Sequence, residues 1–347
     1  MKHIIIDTSE FTRLQFDFNN LAITKLKDYI DHGVISIYSN SVINGEVLNQ
    51  ITEKSNSIKN DLNKLKKENP ILRQISEKNF NKKFDYISSF DFLNNLKEQY
   101  NSFLFNYKVK SIEIEKLSIA EIFNDYFNHT PPFGNSSNRK SEFPDAVILK
   151  SAELLHNTVN DKIILISGDK SFKDFCENSK NFILYDRLEN LLSSLTLELD
   201  KEKGKALKFI STLNKNKKQL ELDIEKSFDE LVFELEDEDG EVNSVSTVLV
   251  DIEEINIIEV VHNNGIFLMR VNIEYYANVS YTDYENSIYD SEEGDYLYTN
   301  EIEEDIYSTD IIDIELNVEF NKSGTKIIRT KTEKMDDVSI YIRRYDY

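Results

Sequence analysis

The sequence predicts two units of different class, an α/β half built on a central parallel sheet and an acidic half of antiparallel strands. Three observations carry this reading. Up to about residue 200, short isoleucine-rich runs alternate with longer helical patterns, whereas beyond Leu268 apolar and polar residues alternate one by one. The charge also changes abruptly: residues 1–200 hold 25 Lys and Arg against 28 Asp and Glu, and residues 201–347 hold 16 against 35. From Glu234 to Glu319 there are 25 acidic side chains and a single basic one, Arg270. A length of 347 residues suits about two domains of roughly 150 residues each.

In the first half, Lys2 to Ile6, Val34 to Tyr38, Lys162 to Ser167 and Phe182 to Tyr185 read as strands. Their near-continuous apolar character is that of parallel strands covered on both faces. Helical patterns fill the gaps at Leu21 to Asp31, Val42 to about Lys67, Ile119 to Phe127, Pro144 to Asn157 and Ser171 to Asn178. From Arg187 to Glu225 the pattern is again helical and suggests a connector. In the second half, Met269, Val271, Ile273, Tyr275, Ala277, Val279 and Tyr281 form one alternating run, and Ile312, Ile314, Leu316, Val318 and Phe320 another. Asn263-Asn264-Gly265 and Asn321 to Gly324 supply residues that tolerate positive φ, as hairpin turns require. Tyr284 to Thr309, dense in Asp, Glu, Tyr and Ser, reads as a loop or an insertion ordered by a partner. The expected division is 1–190, a helical connector 191–225, and an acidic β domain 226–347.

Composition excludes several classes. One cysteine, Cys176, allows no intrachain disulfide, and five scattered histidines show no zinc spacing. No apolar run approaches a membrane span, and Asp7 follows Ile4-Ile5-Ile6 too soon for a secretory core. A soluble, cytoplasmic protein is expected. The net charge of -22 would argue against a nucleic-acid partner, but the excess lies almost wholly in the second half.

Four carboxylates of the first half stand where parallel-sheet proteins build sites, at the carboxyl ends of strands or the starts of the helices that follow. Asp7 ends the first strand, Asp169 follows the strand Lys162 to Ser167, and Glu46 and Asp145 lie early in helices leaving that rim. Converging carboxylates raise one another's pKa unless a cation compensates them, and oxygen donors without Cys or clustered His favour Mg²⁺ or Mn²⁺ over zinc. Each acid alone has a plainer reading as a helix-capping or first-turn residue.

Together, Ile4-Ile5-Ile6-Asp7-Thr8-Ser9, Glu46, Pro144-Asp145-Ala146 and Ser167-Gly168-Asp169-Lys170-Ser171-Phe172 resemble the PIN domain, over about residues 1–190. The resemblance implies a three-layer α/β/α nuclease fold in which Asp7, Glu46, Asp145 and Asp169 form an acidic Mg²⁺ or Mn²⁺ site, supported by Thr8 and Ser167. About a hundred residues separate Glu46 from Asp145, more than in small family members, so the chain is similar to a larger branch, and Glu53 is the substitute for Glu46. The implied activity is phosphodiester cleavage, with an RNA endonuclease favoured over a DNA enzyme. A toxin or phage-defence role is family analogy alone.

Substrate contacts are expected from Arg139 and Lys140, which end a turn-rich lip starting at Pro131, and from Lys170, whose plainer reading is a solvated lysine. Residues 54–83 carry nine basic side chains against three acidic ones, near Phe80, Phe84, Tyr86, Phe90 and Phe92, and suggest a path for the strand. The acidic half reads first as a docking surface for a basic protein partner, with a regulatory domain whose carboxylates mimic phosphates and block the groove, or a plain solubilising surface, as the other readings; calcium binding near Asp290 to Asp295 lacks the EF-hand pattern. The competing class is a non-catalytic interaction module on the same scaffold.

Overall fold

A computed structural model describes residues 1–68, 86–87, 89–134, 139–177, 179–200, 204–229, 231, 233, 235, 240–290 and 295–335. The chain divides into two compact units, Met1–Leu191 and Leu192–Tyr347. No helix among the described residues is long and apolar enough to cross a membrane.

The first unit is a five-stranded parallel sheet with helices in its crossovers. In chain order the elements are β1 (Lys2–Ile6), α1 (Thr8–Arg13), α2 (Leu21–Asp31), β2 (Ile35–Ser39), α3 (Ser41–Glu68), α4 (Phe92–Asn106), β3 (Lys110–Ser111), α5 (Ile119–Asn128), α6 (Phe143–Val159), β4 (Ile163–Ile166), α7 (Lys170–Glu177), β5 (Phe182–Tyr185) and α8 (Leu188–Leu199). The sheet order is β3-β2-β1-β4-β5, so β1 is central and pairs with β2 and β4. Ile4, Ile5, Ile6, Ile35, Ile37 and all of β4 are buried, as a sheet covered on both faces requires. Helix α3 turns Ile43, Val47 and Ile51 inward at intervals of four, and α6 buries Ala146, Leu149 and Ala152. Each such fully buried branched side chain contributes roughly 1.5–3 kcal/mol.

Sequence reasoning missed α1, α4 and β3. Helix α4 carries many Asn and charged residues, and its hold on the core is aromatic: Tyr100 and Phe103 lie within 6.0 Å of Phe11, ring centre to ring centre. Strand β3 is a two-residue edge pairing only with β2. A buried ionic network ties α1 to the start of α8. Arg13 reaches Glu10 at 2.8 Å and Glu189 at 2.7 Å, and Glu10 Oε1 also accepts from the Leu188 amide.

The second unit is a four-stranded antiparallel meander of β6 (Gly240–Val261), β7 (Asn264–Asp290), β8 (Asp295–Phe320) and β9 (Ile327–Met335). The two alternating runs expected from the sequence are its buried face. Helices α9 (Lys205–Lys215) and α10 (Lys217–Asp229), in the stretch expected as a connector, instead contribute Phe209, Leu213, Leu220, Ile224 and Phe228 to the same core. Their apolar spacing supplies the cover that a one-sided sheet needs. Phe209 stacks on Phe320 with ring centres 3.9 Å apart.

The described residues of the stretch 284–309, expected as a loop, are strand, belonging to β7 and β8, and Ile302 and Ile306 share a face of β8 at the strand period; residues 291–294 lie outside the described residues. The β6–β7 turn also differs from expectation. Val261 pairs with Asn264, so the turn is His262-Asn263, with His262 at φ 54°. Gly265 is needed for close approach instead: a Cβ there would lie 2.6 Å from the Phe267 ring. Gly324 does meet the expected turn role, at φ 72°.

Edge strand β6 shifts register four times against β7, around residues 243, 248, 253 and 258. Such bulges twist an open edge away from pairing with another strand.

Candidate active site

The parallel register of β1 with β4 builds the site. Ile6 pairs with Ile166, the Asp7 amide donates to the Ile166 carbonyl at 2.9 Å, and so Asp7 emerges beside Ser167 at the carboxyl end of the sheet. Asp7 is buried and is the N-cap of α1, accepting weakly from the Ser9 amide at 3.4 Å. Its Oδ2 also accepts from the hydroxyls of Ser9 at 2.6 Å and Ser167 at 3.0 Å. The capping role read from the sequence therefore holds, but capping leaves the two hydroxyl donors unexplained.

Glu46 lies in the second turn of α3, where the Thr8 hydroxyl donates to its Oε2 at 3.1 Å. Thr12 donates to Gln50 one turn along, so α1 and α3 meet through a ladder of side chains four apart. Glu53 is exposed and accepts from Asn49, away from this ladder. Asp145 lies in the first turn of α6, with Pro in that turn, and accepts from the Ser171 hydroxyl at 3.0 Å. Asp169 precedes α7; its amide donates to Ser167 Oγ at 3.1 Å.

These acids sense one another. Burial pushes the Asp145 carboxyl up to about 7, with Asp7, Glu142 and Asp169 adding to the rise and Ser171 opposing it. Glu46 is raised by burial and by Asp7 and Asp169, against the Thr8 hydrogen bond. Asp169 is raised by burial, Asp7 and Glu142. Among the described residues, no Lys or Arg acts on any of these three carboxyls. The donor set is thus all oxygen, anionic and uncompensated, which suits a hard divalent cation. As the side chains stand, no three His, Cys, Asp or Glu residues among those described converge closely enough to share one ion. Hydroxyls hold three of the carboxyls, those of Asp7, Glu46 and Asp145, while Asp169 is tied to Ser167 through its backbone amide.

The expected substrate cations lie differently. Lys140 and Lys170 are exposed. Arg139 is engaged by α5: its guanidinium lies 4.7 Å over the Tyr126 ring and donates to His129 at 2.8 Å. The lip starting at Pro131 is anchored by the buried ring of Phe133, and residues 135–138 lie outside the described residues. Of the basic stretch 54–83, residues 69–83 also lie outside them, Phe80 among them; Phe84 does too. Lys54 sits 5.5 Å over the Phe16 ring.

Three participants escaped sequence reasoning: Ser9, Ser171 and Glu142. The two serines stand two residues after Asp7 and Asp169, a spacing that returns a hydroxyl to a strand-end acid or its neighbour. Glu142 stands at the N-cap position of α6 without a side-chain cap bond; its charge bears on Asp145, one turn on, and through the fold on Asp169. Burial pushes the Cys176 thiol up to about 11, the opposite of what activates a cysteine nucleophile.

The family model for the PIN domain matches residues 4–172, a span that holds Asp7, Glu46, Asp145 and Asp169. The N-terminal unit carries a PIN domain. No curated protein and no solved structure matches the chain. PIN domains have a nuclease-type fold, are generally metal-dependent nucleases that bind nucleic acid, and typically use divalent ions such as Mg²⁺. The parallel order β3-β2-β1-β4-β5, with carboxylates at the ends of β1 and β4, is the frame of this PIN domain.

Proposed function

We propose that the PIN domain of this protein is a Mg²⁺- or Mn²⁺-dependent nuclease that cuts RNA internally. The observation that supports the reading is that Glu46, Asp145 and Asp169 are each raised by burial and then by Asp7, with no basic side chain among the described residues to offset it. Asp7, Glu46, Asp145 and Asp169 would hold the ion. When bound, such an ion lowers the pKa of its water toward about 7 and neutralises charge on the leaving oxygen. The chain's own groups do the positioning: Ser9 and Ser167 aim one oxygen of Asp7, Thr8 aims Glu46, and Ser171 aims Asp145. Near neutral pH Asp145 exchanges a proton readily, and it gives that proton up when a cation arrives. Lys140 and Lys170, exposed at the starts of the neighbouring helices, would meet the phosphates of the strand. The acidic unit, with Tyr276 and Tyr307 exposed on β7 and β8, serves as the docking face for a basic protein partner.

The test is cleavage of a circular RNA by the full chain with Mn²⁺, which scores internal cutting alone. Asp145→Asn should abolish cutting while the protein stays folded; undiminished cutting by that variant overturns the assignment. A second reading rests on the spacing of the carboxyls, none of which form a group of three tight enough for one ion among the described residues. On that reading the PIN domain is a scaffold that binds without cutting, and no divalent metal would elicit cleavage.

A further inference from the structure

The least explained surface of the first unit is on α5. Ile119, Phe123 and Phe127 recur at intervals of four and form a stripe along one face, and they are 70%, 45% and 70% exposed. The adjoining face of the helix accounts for its folding, since Ile122 is buried with Phe133 and Ala146 and Tyr126 packs against them. Phe123 touches the Phe143 ring at the edge of that cluster, yet the stripe stays largely in water, and a run of large apolar side chains in water calls for an occupant.

We propose that this stripe, extended by Arg139, is a stacking platform for the unpaired bases of a single-stranded nucleic acid. The inference rests on the nuclease reading and specifies what that site takes. Three features favour bases over another apolar surface. Two of the three members are flat aromatic rings, Phe123 and Phe127, with centres 6.3 Å apart. A guanidinium lies among them, Arg139 over Tyr126, and arginine planes and aromatic faces are the groups on which bases stack. The platform also runs into the candidate active site: Phe123 and Tyr126 contact the Phe143 ring at 5.4 and 5.1 Å, and Phe143 stands two residues before Asp145. Of the two acids on α5, Glu121 and Asp125, the second is neutralised by Lys150 at 3.0 Å. A duplex hides its base faces, so the platform selects unpaired strands.

The experiment measures binding of the full chain, in EDTA so that nothing is cut, to a fluorescent adenylate RNA of about 12 nucleotides and to an RNA duplex of the same length. Phe123→Leu with Phe127→Leu keeps the apolar surface and removes the π faces; Phe123→Tyr with Phe127→Tyr keeps both. The leucine pair should bind the single strand about tenfold more weakly and the duplex within about twofold, while the tyrosine pair stays within about twofold on both. Phe127→Ala, at a mostly exposed position, gives the same direction should the leucine pair fail to fold. Unchanged single-strand affinity in the leucine pair and in Phe127→Ala overturns the platform, as does an equal loss on duplex or a tyrosine pair that behaves like the leucine pair. So does a change in oligomeric mass with RNA affinity intact, which makes the stripe a protein contact. Cutting that depends on Asp145 but not on the stripe keeps the nuclease and removes the platform; no binding of either RNA by the native chain removes both.

Discussion

The Ser167 hydroxyl donates to Oδ2 of Asp7 at 3.0 Å, joining the ends of two adjacent parallel strands across 160 residues of chain. The pairing of β1 with β4 makes this contact unavoidable, because Asp7 and Ser167 are the first residues beyond Ile6 and Ile166. The carboxylate at the centre of the candidate site is thus held by the sheet rather than by a loop.

Ser167→Ala removes a hydrogen bond to a buried carboxylate that retains Ser9 as a partner. The expected cost is about 1.5 kcal/mol, near the lower end for bonds to charged groups, and a melting temperature lower by roughly 3–6 °C. Differential scanning calorimetry checks this. Cleavage should fall about tenfold, since one oxygen of Asp7 loses its aim.

Asp145 makes stability depend on pH. Its folded carboxyl is raised to about 7 from an ordinary value of 3.8, so the folded state binds more protons than the unfolded state between those values. Stability is fully present below about pH 4 for this group and is lost as pH rises through about 7. In EDTA, Asp145→Asn should flatten that decline and melt about 3 °C higher than the native protein at pH 8. A native profile that instead rises from pH 5 to 8 in parallel with the variant's contradicts this.

Divalent ions should reverse the penalty. Titrating Mn²⁺ at pH 8 should raise the melting temperature, because a ligand bound only by the folded state stabilises it by mass action. At pH 5 the shift should shrink, as Glu46, Asp145 and Asp169 hold protons more tightly than ordinary carboxyls. Chelation should restore the original transition, and Asp145→Asn should lose most of the Mn²⁺ effect.

Arg13→Ala breaks the network of Glu10 and Glu189, both nearly fully buried. Removing one member of a buried ionic group costs about 3–5 kcal/mol, and here the loss should fall toward the lower end, because Glu10 loses its cation while Glu189 keeps Arg187 at 3.9 Å. Urea unfolding of the first unit should shift accordingly. Glu189→Gln in the Arg13→Ala background should recover part of the loss.

In the second unit, Phe209→Ala leaves Phe320 without its stacked partner and opens space beside Gly265 and Gly324. The expected loss is about 3–5 kcal/mol. RNA cleavage by the folded variant should be unaffected.

Much of the architecture was legible beforehand because it follows from period and punctuation. Continuous isoleucine runs announced β1 and β4, and alternation announced the central parts of β7 and β8, whose register buries the alternating runs Met269 to Tyr281 and Ile312 to Phe320 on one face while Tyr276, Tyr307 and Ile311 stay exposed on the other. The acids at strand ends were legible for the same reason, since a strand's end is a local property. What stayed hidden was set by partners distant in the chain. Helix α4 earned its place through aromatic contacts with α1, and α9 and α10 became core rather than connector because the sheet needed cover. The acidic stretch beyond Tyr284 reads as loop by composition, and its described residues fold as strand because β7 and β8 pair with one another there.

The sequence by itself determined the two classes of unit, the order of the strands' apolar faces and the four candidate acids, since all of these are written in residue type and spacing. Only the tertiary structure decided which hydroxyl holds which acid, that Glu142 joins them, that Arg139 turns to Tyr126, and that Phe123 and Phe127 remain in water. Periodicity follows from local backbone geometry, whereas the charge and burial felt by one side chain depend on every element packed around it.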